Sequence, residues 1–167
     1  MLYNQIYIYP NNGIGNVDSF RYTINRDFIY IDKAKIHSES LIIPDKIDNK
    51  SIVAILYESF KNMDSLKKLV IPSAVEEIGN RAFANCHNLL EVVIPGKTCY
   101  VDKDAFVGCN PNLIVRCEKD SDVDVWAKMY GYKTKPIFSE MEKFFQETGT
   151  TNVEFKTSPD SHSLDNL

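Results

Sequence analysis

Residues 66–86 read LKKLVIPSAVEEIGNRAFANC, and residues 89–109 repeat this pattern as LLEVVIPGKTCYVDKDAFVGC. Leucine, Ile-Pro, Ala-Phe and cysteine recur at the same offsets, 23 residues apart. An earlier copy starts at Leu41 and reaches Phe60 after a five-residue insertion within residues 45–50, where Asp48 and Asn49 are turn formers; a degraded last copy starts at Leu113. A fixed period of roughly 20–29 residues indicates a solenoid, in which each turn covers the apolar face of its neighbour.

The residues before each Ile-Pro pair alternate as a short β-strand does, which fixes the side chains expected to point inward. These are Leu69, Val92 and Leu113 at one position and Ile71, Ile94 and Val115 two residues later. Proline cannot donate a ladder hydrogen bond, so it ends the strand and turns the chain toward a second apolar step. Stacked turns would form a narrow parallel sheet, with a ladder of phenylalanines filling the opposite wall of the core.

Both ends of such a solenoid need caps, because they would otherwise expose unpaired strand edges. Residues 20–24 and 28–31 alternate in polarity around a turn at residues 25–27, which predicts a β-hairpin over the first turn. At the other end Ser121 is the expected N-cap of a helix and Gly131 its C-terminal stop. The apolar residues at helical spacing between them are Val125, Trp126, Met129 and Tyr130. Trp126 is expected to plug the end of the core.

The combination of an Ile-Pro step with an Ala-Phe-x-x-Cys step resembles the BspA-like leucine-rich repeats, over about residues 20–137. The resemblance implies a mainly β, leucine-rich-repeat solenoid of about four turns, with an N-terminal β-hairpin cap and a C-terminal helical cap. We expect one structural domain in four parts. They are an N-terminal β cap (1–36), the leucine-rich repeats (37–118), a helical cap (119–149) and an extended or disordered tail (150–167).

A short amphipathic helix is predicted beyond Pro136, where the repeat pattern ends. Its apolar residues, at helical spacing, are Phe138, Met141, Phe144 and Phe145; the charged residues interspersed with them are Glu140, Glu142, Lys143 and Glu147. Such an apolar face needs a partner. It either packs on the cap or mediates self-association or contact with a neighbouring domain.

Composition argues against several partners. The net charge is −4 and the sequence pI is near 5.4, without a basic stripe, so we expect no nucleic-acid partner. No run approaches the ~18 consecutive apolar residues of a membrane helix.

Residues 1–10 lack the charged start and apolar run of a signal peptide. Either the protein stays in the cytoplasm or an export signal is missing from this chain, and the resemblance, which implies a bacterial surface or secreted protein, favours the second.

The cysteines and histidines do not follow a catalytic or metal-binding pattern. Cys86 and Cys109 occupy the same repeat position and are expected to be buried thiols that pack as small apolar groups, whereas Cys99 and Cys117 have no repeat role. The sequence contains no Cys-x-x-Cys pair and no glycine-rich phosphate loop. His87 follows Cys86 at a variable corner, where adjacent side chains project apart. We therefore expect no enzymatic activity, no cofactor and no metal.

The outward side of the predicted strands offers a candidate binding face. On the register above, Ile42, Val70, Val93 and Ile114 form an exposed β-branched row, and Lys68, Glu91 and Arg116 lie beside it. An apolar ribbon bordered by charge is typical of protein-binding surfaces. The alternative is plain strand propensity, which favours Val and Ile on either face. Tyr100, where the previous turn has Glu77, is a second candidate, as an exposed anchor.

Two functions follow from the resemblance and from this face. The first is a non-enzymatic leucine-rich repeat module that mediates protein–protein interaction, including cell-surface adhesion to host or matrix proteins. The alternative is a structural spacer or capping module that supports a neighbouring domain or self-assembly. The sequence itself does not identify the protein partner.

Overall fold

The computed structural model describes residues 3–8 and 18–137, which contain twelve strands and one helix. In chain order these are β1 (Tyr3–Ile8), β2 (Ser19–Asn25), β3 (Phe28–Lys35), β4 (Ser40–Ile42), β5 (Lys46–Ile47), β6 (Lys50–Ile55), β7 (Lys68–Val70), β8 (Glu77–Ile78), β9 (Glu91–Val93), β10 (Tyr100–Val101), β11 (Ile114–Cys117), α1 (Asp122–Met129) and β12 (Lys133–Pro136). None of these described elements is a helix long and apolar enough to cross a membrane.

The strands form two sheets, one on each side of a shared core. The front sheet is parallel throughout and has the order β12-β11-β9-β7-β4. The back sheet has the order β1-β2-β3-β6-β8-β10, with β5 paired to β6. Each turn of the chain contributes one strand to the front sheet, so the predicted solenoid is confirmed. It has about five turns rather than about four, because β12 adds a strand that the sequence did not predict.

The predicted strand register is correct in the central turns and wrong in the last one. Val115, not Leu113, pairs with Val92 and therefore continues the inward position of Leu69. The cause is a pair of compensating length changes. One extra residue separates Cys109 from Leu113, so Leu113 fills the buried place of Leu89, and the spacing from Leu113 to Val115 is one residue shorter than that from Leu89 to Val92.

A stack of aromatic rings runs through the core from cap to cap. The ring centroids of Phe60 and Phe83 are 4.9 Å apart, and those of Phe83 and Phe106 are 5.0 Å apart. Phe20 of β2 extends the stack at one end, 6.0 Å from Phe60, and Trp126 of α1 extends it at the other, 5.9 Å from Phe106. The prediction that Trp126 plugs the end of the core is confirmed.

Both predicted caps are present. β2 and β3 form the expected antiparallel hairpin, β1 adds a third strand to it, and β3 then pairs in parallel with β6. The Ser121 side chain accepts a hydrogen bond from the Asp124 backbone N–H, as an N-cap does, and Gly131 follows the helix with a φ of 81°. The inserted residues Asp48 and Asn49 make the turn between β5 and β6, with φ values of 50° and 62°.

A left-handed backbone position recurs at the corner of each central turn. Asn62, Asn85 and Gly108, spaced 23 residues apart, have φ values of 62°, 58° and 73°. Asn and Gly tolerate this conformation best. A Cβ at Gly108 would also lie 2.3 Å from the Asn85 Oδ1 atom. The Asn85 amide donates to Asn62 Oδ1 at 3.2 Å, which joins neighbouring turns along this corner.

Two of the predicted parts concern residues that the structure does not describe. The helix predicted over Phe138 to Glu147 and the tail over residues 150–167 lie outside the described residues. The last described residue, Ile137, directly follows β12 and is helical.

Replacing a central ring of the stack should strongly destabilise the fold. We expect Phe83→Ala to lower the free energy of unfolding by about 3–5 kcal/mol, because the buried ring leaves a cavity between two neighbouring rings. Urea unfolding followed by circular dichroism measures this change. Phe28→Ala is the matched control, since Phe28 lies at the edge of the hairpin with 47% of its surface exposed, and it should cost less than about 1 kcal/mol. Equal losses would show that the stack has no special role.

Candidate functional site

The outer face of the front sheet carries two rows of outward-pointing side chains. We call Ile42, Val70, Val93, Arg116 and Lys135 the first row, because strand pairing places them in register across the five strands. The second row, by the same pairing, is Ser40, Lys68, Glu91, Ile114 and Lys133. The inward positions between the two rows, from Leu41 to Val115, are buried.

The structure exchanges two of the predicted site residues. Ile114 was placed in the apolar row and Arg116 beside it, but Arg116 pairs with Val93 and Ile114 pairs with Glu91. The exchange follows from the altered register of the last turn. The apolar part of the first row is therefore Ile42, Val70 and Val93. Ile42 is 38% exposed, and Val70 and Val93 are half-buried.

Arg116 forms an ion pair on this face. Its Nε lies 3.0 Å from Glu91 Oε2, and its Nη1 donates to the Pro136 carbonyl at 3.4 Å. Both side chains are poorly accessible, with relative exposures of 4% for Arg116 and 16% for Glu91. Removing water strengthens the attraction between the two charges and also makes either of them costly to leave alone. The face therefore changes from apolar at β4, β7 and β9 to a shielded ion pair at β11.

Tyr100 lies on the back sheet, in register with Glu77 as predicted, and is 61% exposed. It borders a groove of about 470 Å³ between β10 and α1. Val125, Met129 and Tyr130, which the sequence placed on the apolar side of the helix, line the exposed wall of this groove; the buried side of α1 is Val123, Asp124, Trp126 and Ala127. Trp126 also lines the groove, and its buried Nε1–H has no acceptor among the described residues.

The thiols are structural groups in this fold. The Cys86 Sγ donates to the Phe60 carbonyl at 3.1 Å, and the Cys109 Sγ donates to the Phe83 carbonyl at 3.0 Å, so each thiol bonds to the phenylalanine of the preceding turn. This contact adds to the packing role that the repeat position predicted. All four cysteines are free. Their bonding and burial favour a structural role over a nucleophilic one.

The Cys86 and His87 side chains interact with different partners. His87 Nδ1 lies 2.8 Å from Asp64 Oδ1 at an exposed corner, whereas the Cys86 thiol is buried against Phe60. A cysteine nucleophile would need its base within hydrogen-bond reach. Among the residues that the structure describes, no group of three His, Cys, Asp or Glu side chains could hold a metal ion.

Sequence reasoning missed both lysines of β12 on the front face. Lys133 and Lys135 belong to β12, whose sequence Lys-Thr-Lys-Pro lacks the apolar alternation of a strand. Arg116 was recognised but given the wrong row. The one usable signal was the spacing from Cys109 to Leu113, which is one residue longer than the spacing from Cys86 to Leu89.

A parallel sheet with one strand per 23-residue turn, and a repeated phenylalanine in the core, defines a leucine-rich repeat protein. The family model described as "BspA type Leucine rich repeat region", in six copies, matches residues 21–123, which is more than half of the chain. The chain therefore belongs to the BspA-type leucine-rich repeat family. Leucine-rich repeat proteins are generally protein–protein interaction modules.

Three solved structures are similar to this chain. A leucine rich cell surface protein from Faecalibacterium prausnitzii is 24% identical with a TM-score of 0.52, and the match covers 65% of this chain and 30% of that chain. A leucine-rich repeat protein from Bacteroides ovatus is 18% identical with a TM-score of 0.41, over 65% of this chain and 38% of that one. The T. pallidum leucine rich repeat protein is 20% identical with a TM-score of 0.40, over 58% and 68%. No curated protein matches the sequence.

The accessibility and pKa of the four thiols predict an order of alkylation. Burial raises the pKa of Cys99 to about 12 and that of Cys117 to about 11, and interaction with the neighbouring Cys109 thiol together with burial raises the pKa of Cys86. The same interaction lowers the pKa of Cys109, which is only half-buried. Because the thiolate is the reactive form, we expect iodoacetamide at pH 8 to modify Cys109 first.

Peptide mass spectrometry over a time course measures this order, and the urea-unfolded chain is the control in which all four thiols should react at similar rates. Native Cys86 reacting as fast as Cys109 would contradict the described thiol contacts.

Proposed function

We propose that the chain is a non-enzymatic binding module that captures a protein partner on the outer face of its front sheet. The observation that carries this proposal is the first row, in which Ile42, Val70 and Val93 present accessible apolar surface at the same position of three successive strands. In an interface, apolar side chains supply the surface that is buried, and charged neighbours orient the partner. Lys68 and Glu91 supply charge of both signs in the second row.

At its β12 end, the front sheet favours contact through its face over contact by strand addition. At the β12 edge, the exposed residues are Lys133, Lys135 and Pro136. Lysine and proline on an edge strand discourage pairing with another chain, because the first must be desolvated and the second lacks an N–H group. A partner would therefore lie across several turns, where each turn adds another pair of contact residues.

We further propose that the module acts at a bacterial surface or in secretions, as an adhesin for host or matrix proteins. Two observations support this location. The chain belongs to the BspA-type family, and a similar fold occurs in a protein described as a leucine rich cell surface protein. The match spans 30% of that larger chain, so the location and the adhesive role are proposals for this chain.

One observation favours a second function, a capping or spacer module that supports a neighbouring domain. The groove beside Tyr100 exposes Val125, Met129 and Tyr130 at the end of the repeat array. A neighbouring domain that sat there would cover this apolar surface and could supply an acceptor for the Trp126 Nε1–H. Trp126 is the only tryptophan in the chain, so a change in its fluorescence would report such a contact.

Acidic substitutions in the first row should abolish partner capture without unfolding the protein. The partner is first captured from host extracellular matrix extract and identified by mass spectrometry, and its affinity for variants is then measured by surface plasmon resonance. We expect Ile42→Asp and Val70→Asp each to weaken binding at least tenfold, because a carboxylate would be desolvated in the contact.

Val107→Asp is the matched control, since Val107 is 37% exposed and Ile42 is 38% exposed, but Val107 lies at a corner outside the front sheet. It should leave the affinity unchanged. If all three variants bind equally well, the front face is not the binding site. If Ile42→Asp and Val70→Asp also lower the melting temperature far more than Val107→Asp, the row belongs to the core.

A further inference from the structure

We propose that the groove between β10 and α1 binds a basic protein segment, one that carries arginine or lysine side chains next to apolar residues. The proposal names the chemistry of what the groove receives, so it rests on the second function above. It does not depend on the front sheet, because β10 belongs to the back sheet.

The groove presents accessible apolar side chains from both of its walls. Tyr100 on β10 and Val125, Met129 and Tyr130 on α1 line it, and all four are exposed. Single exposed apolar side chains are common, but four around one concave site give a partner a shared surface to bury. The volume of about 470 Å³ is that of a ligand-sized site and holds a few side chains of one segment.

Carboxylates surround this apolar surface. Asp102 and Asp122 line the groove, and Glu77 lies on the neighbouring strand β8, with Glu76 before it. Their charge acts inside the groove as well. The buried thiol of Cys99 lines the groove, and burial together with the negative charges of Asp122, Glu76 and Glu77 raises its pKa to about 12. The groove therefore lies in a negative electrostatic potential.

Most of these carboxylates have no counter-ion in the part of the chain that the structure describes. Glu76, Glu77 and Asp122 form no ion pair there. Asp102 accepts hydrogen bonds from an amide side chain and a backbone N–H, which are neutral. Lys103 is the one cationic residue among those described as lining the groove. Four carboxylates and one ammonium group favour a positively charged partner and disfavour an acidic one.

Arginine and lysine suit both the apolar walls and the carboxylates. Their aliphatic stems can bury against Val125 and Met129 while the charged ends stay near the carboxylates. Arginine also stacks on the faces of aromatic rings. Tyr100 and Tyr130 offer one exposed ring on each wall.

Trp126 adds a polar group that favours a peptide over a free cation. Trp126 lines the groove, and its buried Nε1–H has no acceptor among the described residues, which is destabilising. Met129 lies one helical turn away on α1, and rotation of its flexible side chain would give a ligand access to this N–H. A bound peptide supplies backbone carbonyl groups that can accept the hydrogen bond.

Fluorescence of Trp126 measures binding directly, because it is the only tryptophan in the chain. The probe is a short synthetic peptide of alternating arginine and leucine, and the matched probe has glutamine in place of arginine. We expect the arginine peptide to shift the fluorescence, to bind about tenfold more tightly than the glutamine peptide, and to bind more weakly as salt rises.

The two peptides also separate this inference from the second function. Equal affinity of the two peptides would overturn the preference for a basic segment, while the groove would remain a docking site for a neighbouring domain. Binding of neither peptide would overturn the inference and would count against the second function as well.

Charge variants locate the binding site. The double variant Glu77→Gln and Asp122→Asn removes two carboxylates at the groove, and Glu39→Gln with Asp27→Asn removes two at the opposite end of the array. We expect the first pair to weaken binding of the arginine peptide about fivefold, because each exposed ion pair contributes modestly, and the control pair to leave it unchanged. Neither pair should change the melting temperature much. Equal affinities in the two variants would indicate general attraction to an acidic protein and would overturn the proposal.

Tyr100→Ala tests the aromatic contact. Tyr57→Ala is its matched control, since both tyrosines are 61% exposed and Tyr57 does not line the groove. We expect Tyr100→Ala to weaken binding of the arginine peptide about threefold, and Tyr57→Ala to have no effect. The same affinity in both variants would contradict stacking of arginine on Tyr100.

Discussion

The rings of Phe60, Phe83 and Phe106 stack at about the spacing that separates hydrogen-bonded strands, 4.9 and 5.0 Å between centroids. This match lets one ring per turn fill the core without bending either sheet. Phe20 and Trp126 continue the stack into the two caps. Because each central turn contributes one ring, one strand and one corner, a change in the length of a turn must be looped out, as at Asp48 and Asn49, or be compensated within that turn, or it shifts the register of the residues that follow.

The same repeat that builds the core also builds the outer face. A period of 23 residues places Val70 and Val93 at the same position on neighbouring strands. The side-chain type at one repeat position therefore recurs from strand to strand across the sheet. In the last turn the row changes from valine to Arg116, which is paired with Glu91 and shielded from solvent. The face is therefore apolar at one end and charged at the other, and this asymmetry gives it a direction in which a partner can be oriented.

The sequence was sufficient to predict the features that repeat, because repetition averages over local irregularities. The phenylalanine stack, the hairpin and the Ser121 N-cap each had a signal of several residues. The register of β11 had no such signal. One residue is added before Leu113 and one is lost after it, so the overall spacing of the repeat is unchanged. β12 was missed because Lys133 to Pro136 has no apolar pattern, and its pairing depends on β11. The hydrophobic pattern of α1 also did not distinguish Met129, which faces solvent, from Trp126, which faces the aromatic stack.

If the aromatic stack joins the turns and both caps into one cooperative unit, the turns should not open separately. Native-state hydrogen exchange of the Phe60, Phe83 and Asn85 amides, which bond to Ala82, Ala105 and Val107 of the following turn, measures this directly. We predict that these amides share one opening free energy, equal to that of global unfolding within about 0.5 kcal/mol. Opening free energies that fall from one turn to the next by more than about 1 kcal/mol, as in an array of weakly coupled repeats, would contradict the account.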